Sequence, residues 1–243
     1  MIICEGQDDL WFISYFLHKK DLWERSSLQR FEYYKIPEEK GIRHILYLQK
    51  DNKTLAVASA GGQDKIKSVV DDIAVINRLH PQTPIDKIVV FRDSDDRMPN
   101  ELAFDTGRLF NDDLTLSNNV SGSFTFRGEE SSINISVLPV IVPADEPGAI
   151  ETVLMQSISD MHLAGKKAVS HANEFINTAI SDVRPVYLRK QREITKAKYS
   201  ATLSITNPTR SRDNFEELMM SIDWENSPSV EFQMAEIIQF INL

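Results

Sequence analysis

Short apolar runs alternate with longer amphipathic stretches through the first 160 residues of the chain. The apolar runs predict β-strands at 1–5, 54–60, 85–91, 120–127 and 133–142. The stretches between them predict helices at 8–20, 64–79, 100–116 and 146–159. After Met161 only helical patterns follow. This order predicts an α/β fold, with a central, mostly parallel sheet flanked by helices and a helical C-terminal extension.

The change of pattern near residue 160 divides the chain into an α/β domain, residues 1–160, and a helical extension packed on it, residues 161–243. A length of 243 residues fits either two small domains or one continuous domain. No apolar run approaches the roughly 18 residues of a membrane span, and the one cysteine, Cys4, excludes an internal disulfide framework. We therefore expect a cytoplasmic protein with no membrane partner.

Charge is distributed unevenly along the chain. The net charge is −9, from 27 basic and 36 acidic residues, which disfavours nucleic acid as a partner. From Arg184 to Arg212, however, eight basic residues accompany a single acidic one, so this basic segment carries +7 and the rest of the chain −16. Such asymmetry is typical of proteins that bind a polyanion. A solvated helix face is the structural alternative.

Acidic residues follow three of the predicted strands directly. The three groups are Glu5, Asp8 and Asp9; Asp93, Asp95 and Asp96; and Asp145, Glu146 and Glu151. Because the carboxyl ends of parallel strands form one edge of a sheet, these carboxylates can converge there. Converging carboxylates repel each other, so a hard cation such as Mg²⁺ or Mn²⁺ would stabilise them. Acids also cap helices, which is a fully structural interpretation of Asp8 and Asp9.

Two of these groups resemble motifs of the TOPRIM fold of topoisomerases, primases and OLD-type nucleases. Residues 2–9 (IICEGQDD) are similar to its first motif, an apolar strand ending in Glu-Gly with an acid four residues after the Glu. Residues 89–95 (VVFRDSD) are similar to its second motif, an apolar strand ending in Asp-x-Asp. The whole chain most resembles small, stand-alone bacterial TOPRIM-related proteins of the OLD-like branch, through 60–62 (AGG), 147–154 (PGAIETVL) and 196–198 (KAK).

This resemblance implies divalent-metal chemistry on a phosphodiester. Glu5 would be the first-motif glutamate, acting as a metal ligand or a general acid/base. Asp9, Asp93 and Asp95 would hold the metal, directly or through water. Glu151 would match an acid that supports a second metal in OLD-like members. The metal is expected to be Mg²⁺ or Mn²⁺.

The resemblance also implies a lysine that stabilises charge on the phosphate, matched by Lys196 or Lys198. Peripheral arginines such as Arg189 and Arg192 would hold the flanking backbone. The extra acid Asp96 departs from the family pattern, as does the pairing of Asp8 with Asp9, and these leave the ligand set open. The sequence has no G-x-x-x-x-G-K-[ST] motif, so any ATPase would be a separate chain.

Two functions follow from these features. The first is a divalent-metal-dependent nuclease, or a related phosphoryl-transfer enzyme, whose partner is nucleic acid, with DNA favoured over RNA. The second is a non-catalytic TOPRIM-like module that binds nucleic acid or a partner ATPase in genome maintenance or phage defence. Gly61 and Gly62 form either a tight strand–helix turn or an anion cradle. The apolar pattern at 232–241 predicts a docked last helix or a homodimer contact.

Overall fold

The computed structural model describes residues 1–26, 43–128, 132–184, 186–209 and 215–243, and is built on a seven-stranded sheet. The strands are β1 (Ile2–Cys4), β2 (Glu24–Arg25), β3 (His44–Lys50), β4 (Lys53–Ser59), β5 (Lys87–Asp93), β6 (Gly122–Arg127) and β7 (Ser132–Val142). Their order is β2-β3-β4-β1-β5-β7-β6. The four neighbours β4, β1, β5 and β7 pair in parallel, and the outer pairs are antiparallel. The predicted α/β class with a mostly parallel centre is confirmed.

Helices cover both faces of the sheet. They are α1 (Gln7–Asp21), α2 (Ile66–Leu79), α3 (Pro99–Arg108), α4 (Ile150–Met161), α5 (Leu163–Val183), α6 (Gln191–Thr206), α7 (Phe215–Ser221) and α8 (Pro228–Asn242). Ile2 and Cys4 of β1 belong to an apolar core shared with α1, α4 and α8. Ile3 belongs to a second core, shared with α2. Because β1 is buried on both faces, its sequence is a continuous apolar run and does not alternate.

Strand β3 was missed by the sequence prediction, as was the two-residue strand β2. β3 pairs with β4 in an antiparallel hairpin whose turn is Asp51–Asn52. Asp51 has φ of 52°, the left-handed conformation that two-residue hairpin turns require. The signals were therefore present, as an apolar run at 45–48 and, after Gln49 and Lys50, two turn-forming residues.

The helix predicted at 100–116 is wrong in its C-terminal half, because α3 ends at Arg108. Leu114 and Leu116 are nevertheless buried, at 8% and 4% exposure, in the loop that leads to β6. They pack into the core that contains Ile3 and α2. Their apolar character thus reflects burial of a loop and was mistaken for helical periodicity.

The helix predicted at 146–159 begins later, at Ile150. Ser94, which follows β5, holds the residues before Ile150 in a loop through bonds to Glu146 and Gly148. Its Oγ accepts the N–H of Gly148 at 2.7 Å and lies 3.1 Å from the carbonyl oxygen of Glu146. The loop and the start of α4 are therefore fixed by a residue that is more than 50 positions away.

The C-terminal helices pack on the sheet face that carries α1. Tyr199, Trp224 and Ile237 lie in the same apolar core as Ile2 and Cys4 of the central strand. This core therefore contains residues from both predicted domains, 1–160 and 161–243. The location of a domain boundary stays a prediction. Helix α8 docks through residues that include Phe240, whereas its Phe232 is 61% exposed; a homodimer contact also stays a prediction. None of the helices in the described ranges is long and apolar enough to cross a membrane.

Candidate functional site

A cleft of about 420 Å³ opens at the carboxyl ends of the central parallel strands. In an open α/β sheet this is the edge at which the loops after the strands meet. The cleft is lined by all five acids to which the family resemblance assigns a metal: Glu5, Asp9, Asp93, Asp95 and Glu151. Asp8 lines it as well. Acids that lie far apart in the sequence are thus brought to one place by the parallel register.

Glu5 and Asp9 enter the cleft from the junction between β1 and α1. Both are buried, at 8% and 4% exposure. The Asp9 carboxylate also accepts the backbone N–H of Gly6 at 2.9 Å, which satisfies one of the unpaired amides near the start of α1. Asp9 therefore has the helix-capping role that its sequence position allowed, in addition to its place in the cleft.

Arg92 is a site residue that sequence reasoning missed. It lies on β5, is 5% exposed, and donates through Nε to Oε1 of Glu5 at 3.3 Å. Its Nη1 donates to the hydroxyl of Thr106 on α3 at 3.1 Å. An arginine inside an otherwise apolar strand and directly before Asp-x-Asp was the available signal, since buried charges are normally paired.

Asp93 and Asp95 are positioned by the loop before α4. Oδ1 of Asp93 accepts the N–H of Ile150 at 2.8 Å, so this acid caps α4 from a neighbouring strand. The N–H of Asp95 donates to the carbonyl of Gly148 at 2.6 Å, and its φ is 50°. Oδ1 of Asp95 is buried and has no hydrogen-bond partner among the described residues. The described part of the chain therefore leaves this oxygen unsatisfied.

Glu151 and Lys196 meet across the cleft from α4 and α6. Lys196 Nζ lies 3.3 Å from Oε1 of Glu151. Oε2 of Glu151 is buried without a partner in the described ranges, and so is the hydroxyl of Tyr199, one turn beyond Lys196. Lys198, the alternative to Lys196, is half-buried and does not line the cleft.

Arg192 corrects the expectation that it would be peripheral, because it lines the cleft itself. It lies one turn before Lys196 on α6, and residues four apart on a helix share a face. Its charge opposes the rise in the pKa of Glu5, Asp8 and Asp95. Of the predicted basic segment, Arg210 and Arg212 lie outside the described residues. The cleft therefore combines acids from the sheet edge with two cations from α6.

Burial is the largest cause of a raised pKa at five acids of the cleft, which are Glu5, Asp8, Asp9, Asp93 and Asp95. It raises the pKa of Glu5, against the opposing effect of Arg92, and it raises the pKa of Asp95. Burial also raises the pKa of Asp9 to about 7, with Gly6 opposing through its hydrogen bond and Glu5 adding to the rise. The pKa of Asp93 lies well above its usual range, first because of burial and then because of the charges of Asp9 and Glu151. A positive charge in the cleft would stabilise the ionised form of these carboxylates and lower their pKa.

The donor set can be compared with what Mg²⁺ or Mn²⁺ needs. In the described part of the chain, no three His, Cys, Asp or Glu side chains are grouped as ligands of one ion. Mg²⁺, however, usually retains several waters and is bound by one or two carboxylates. Two buried carboxylate oxygens, from Asp95 and Glu151, lack partners among the described residues. These oxygens fit a hydrated hard cation that is held partly through water.

Gly61 and Gly62 form the turn between β4 and the short 3₁₀-helix before α2. Both have positive φ, 85° and 139°, which a side chain would strain. Their N–H groups both donate to the carbonyl oxygen of Glu5, at 3.0 and 2.9 Å. The amides are therefore used by the protein, which favours the tight turn over the anion cradle.

Comparison with known proteins places the chain in a family. Residues 1–234 match the family model described as Protein of unknown function (DUF3226), so the chain belongs to that family. The crystal structure of the hypothetical protein PH0156 from Pyrococcus horikoshii OT3 is similar, with 16% sequence identity and a TM-score of 0.50. The similarity covers 99% of this chain and 92% of that one, and at this identity it shows the fold alone. No curated protein matches the chain.

Proposed function

We propose that this DUF3226 protein is a divalent-metal-dependent nuclease, or a related phosphodiester phosphoryl-transfer enzyme, of the TOPRIM/OLD-like kind. One observation carries the proposal: five carboxylates from three strand–helix junctions line a cleft that is also lined by Arg192 and Lys196. Cleavage of a phosphodiester develops negative charge on the attacking and leaving oxygens. A site for it needs carboxylates that hold cations and basic side chains that face the phosphate.

Glu5, Asp9, Asp93, Asp95 and Glu151 would hold Mg²⁺ or Mn²⁺ in this cleft. When bound, the metal would act as a Lewis acid on the phosphate and stabilise the charge of the reacting oxygens. Two of the acids are already fixed by backbone amides, Asp9 by Gly6 and Asp93 by Ile150. Their carboxylates are therefore oriented before any ligand enters, which lowers the cost of binding.

The remaining groups act on charge and protons. Lys196 Nζ, now 3.3 Å from Glu151, offsets charge on the non-bridging phosphate oxygens. Glu5 Oε1 is held by Arg92 Nε, so its carboxylate has one orientation from which to accept the proton of the attacking water. Arg192 holds the backbone beside the scissile bond.

The direct test is incubation of the purified protein with supercoiled and linear DNA in the presence of Mg²⁺ or Mn²⁺. We expect metal-dependent nicking or cutting that EDTA abolishes. Asp93→Asn/Asp95→Asn should remove the activity. Cleavage that persists in EDTA, or in this double variant, would contradict the proposed site, and intact DNA under every metal condition would contradict the proposed reaction.

Two lysines on one helix provide a matched comparison. Lys196 lines the cleft and Lys198 does not, although they are two residues apart on α6. Lys196→Ala should reduce turnover at saturating DNA by about 10²–10³, the usual cost of one charge-stabilising donor. Lys198→Ala should retain turnover, and equal losses in both variants would mean that α6 acts only through its net charge.

A non-catalytic TOPRIM-like module is the second candidate. It is favoured by the protein contacts that the acids already make, since Asp9, Asp93 and Glu151 each have a hydrogen bond or an ion pair within the chain. On this interpretation the acids are structural, and the protein binds nucleic acid or a separate partner ATPase. Nucleic-acid binding without cleavage in any metal would select it. The cytoplasmic location stays a prediction.

A further inference from the structure

The segment between α5 and α6, described at Arg184 and at 186–190 and called the aromatic loop below, presents apolar side chains to solvent. Tyr187 is 69% exposed and Val186 is 61% exposed. Helix α6 begins one residue after this aromatic loop, and Arg192 in its first turn already lines the cleft. A large exposed aromatic side chain five positions before a cleft-lining arginine needs an explanation, because folded proteins bury most of their aromatic area.

The aromatic loop is held in place by its own charged residues. Arg184 Nη2 donates to the carbonyl of Arg189 at 3.1 Å, and Arg189 Nε donates to the carbonyl of Val186 at 3.1 Å. Glu193 Oε2 accepts the N–H groups of Arg189 and Lys190, at 2.6 and 3.2 Å. The two arginines therefore close the loop on itself.

A non-glycine residue in the left-handed conformation shapes the same loop. Leu188 has φ of 53°, which is costly for a branched side chain and persists only where the surrounding contacts impose it. The hydrogen bonds of the aromatic loop supply those contacts. Tyr187, which precedes Leu188, is consequently carried by a hydrogen-bonded backbone, which lowers the entropy that its main chain loses on contacting a ligand.

The charge around the loop indicates the kind of ligand. From Arg184 to Lys198 the chain has six basic residues and one acidic residue, Glu193, a net charge of +5. That one carboxylate is occupied with the loop amides. The surface that carries Tyr187 is thus basic on a chain whose net charge is −9. Aromatic rings on a basic surface bind single-stranded nucleic acid, because bases stack on the rings while cations contact phosphates.

We propose that the aromatic loop binds a single strand of nucleic acid, with the ring of Tyr187 stacked on an unpaired base while the backbone continues past Arg192 into the cleft. This inference rests on the proposed function and names its substrate class. Five residues separate Tyr187 from Arg192, so the two lie no more than about 17 Å apart along the chain. At the 3.4 Å spacing of a stacked strand, this distance corresponds to at most about five nucleotides.

A duplex does not offer the same contact. Its base faces are covered by neighbouring base pairs, so an exposed ring gains little unless a base is first unstacked at a cost of a few kcal/mol. A single strand presents free base faces and a flexible backbone that can bend into the cleft. Preference for single strands is therefore the property that the loop predicts.

The test is fluorescence-anisotropy binding of labelled oligothymidylate, and of a duplex of the same length, in EDTA so that no cleavage occurs. Wild type should bind the single strand at least about tenfold more tightly than the duplex. Tyr187→Ala should weaken single-strand binding by about tenfold, within the range measured for loss of one stacked base, and Tyr187→Trp should retain it. The control is Phe175→Ala, on α5, which removes a ring of similar exposure (66%) outside the basic loop and should leave binding unchanged.

The outcomes separate this inference from the proposed function. Equal affinity for both DNA forms, or equal losses in Tyr187→Ala and Phe175→Ala, would overturn the inference even if the protein cleaves DNA with Mg²⁺. Tyr187-dependent binding of single strands supports it, and this holds even if no cleavage is found, in which case the nuclease proposal alone fails. Lys190→Gln should reduce the slope of log affinity against log salt by about 0.7, and an unchanged slope would contradict phosphate contact by the loop.

Discussion

The ion pair between Arg92 and Glu5 is buried on both sides, with side chains 6% and 11% exposed. A buried charge that loses its partner is strongly destabilising, so Arg92→Met should lower the free energy of unfolding by about 3–5 kcal/mol. Arg92→Met/Glu5→Gln removes both charges and should recover most of that loss. Urea denaturation of the three proteins measures these differences.

An exposed arginine gives the control for Arg92. Arg97 pairs with Glu101 and Asp105, and all three side chains are more than 40% exposed. Arg97→Met should therefore cost less than about 1 kcal/mol. If the two arginine variants lose equal stability, or if the double variant is no more stable than Arg92→Met, then Arg92 is important for reasons other than neutralising Glu5.

Asp93 and Asp95 allow the metal site to be tested without an activity assay. A cation that binds only the folded state stabilises it by about 1.4 kcal/mol when its free concentration is ten times its Kd. Mg²⁺ or Mn²⁺ should therefore raise the melting temperature of the wild type. Asp93→Asn/Asp95→Asn should show no such rise. Without metal, this variant should melt above the wild type, because clustered carboxylates repel and the amide oxygen introduced at position 93 still accepts the N–H of Ile150.

Asp96→Asn is the matched control for this metal effect. Asp96 is exposed, adjoins Asp95 and does not line the cleft. Its variant should respond to metal as the wild type does. A metal-induced rise of equal size in all three proteins would show that the ion binds elsewhere, and no rise in any of them would remove the metal-site hypothesis.

Asp9 predicts how stability depends on pH in the absence of metal. Burial raises the pKa of its carboxyl to about 7 in the folded state, against an ordinary value near 4 in the unfolded chain. The folded state therefore holds the proton more tightly, so the stabilising contribution is complete below about pH 4 and is lost as pH rises towards about 7. In EDTA, the wild type should lose stability between about pH 4 and pH 7 relative to Asp9→Asn. A constant difference between the two proteins would contradict the raised pKa.

At the scale of secondary-structure elements, α4 and α5 meet at Gly165. A Cβ added there would lie 2.1 Å from the carbonyl oxygen of Ile158 and 3.1 Å from its carbon, distances that the backbone cannot accept without moving. Gly165→Ala should therefore destabilise the protein by about 1–3 kcal/mol. Ala164→Ser, at the adjacent exposed position, should change stability by less than about 0.5 kcal/mol. Denaturant unfolding of both variants checks this, and equal stability would mean that the two helices can separate freely.

The sequence was most informative about elements whose own pattern determines them. Strands β1, β5 and β7 and the acids that follow them were predicted because burial and strand ends are visible in a local run of residues. The start of α4 was not, since Ser94 fixes it from a distant segment. The pairing of Arg92 with Glu5 and the position of Arg192 in the cleft depend on which side chains the fold brings together, and local patterns do not contain that information.

At the scale of the whole molecule, the proposed function requires an acidic chain to bind a polyanion through its basic segment. A net charge of −9 repels nucleic acid at long range, and the Debye length of about 8 Å at physiological salt limits that repulsion to nearby surface. Under the proposed function, the +5 region from Arg184 to Lys198 would attract a strand at short range. Arg192 and Lys196, the two basic residues that line the cleft, belong to this region.

The rate at which the Cys4 thiol reacts reports how often the sheet opens at its central strand. Its thiol has no exposed surface, and burial raises the pKa of that thiol well above its usual range, so it reacts slowly with disulfide reagents while the sheet is intact. Its labelling rate in native buffer should follow the unfolding equilibrium, whereas Ser200→Cys in a Cys4→Ala background, on an exposed position, should label at once. Because Cys4 directly precedes Glu5, any ligand that binds in the cleft and stabilises the folded sheet should slow the labelling of Cys4. Fast labelling of Cys4, at a rate that does not change with denaturant concentration, would show that the centre of the sheet opens locally.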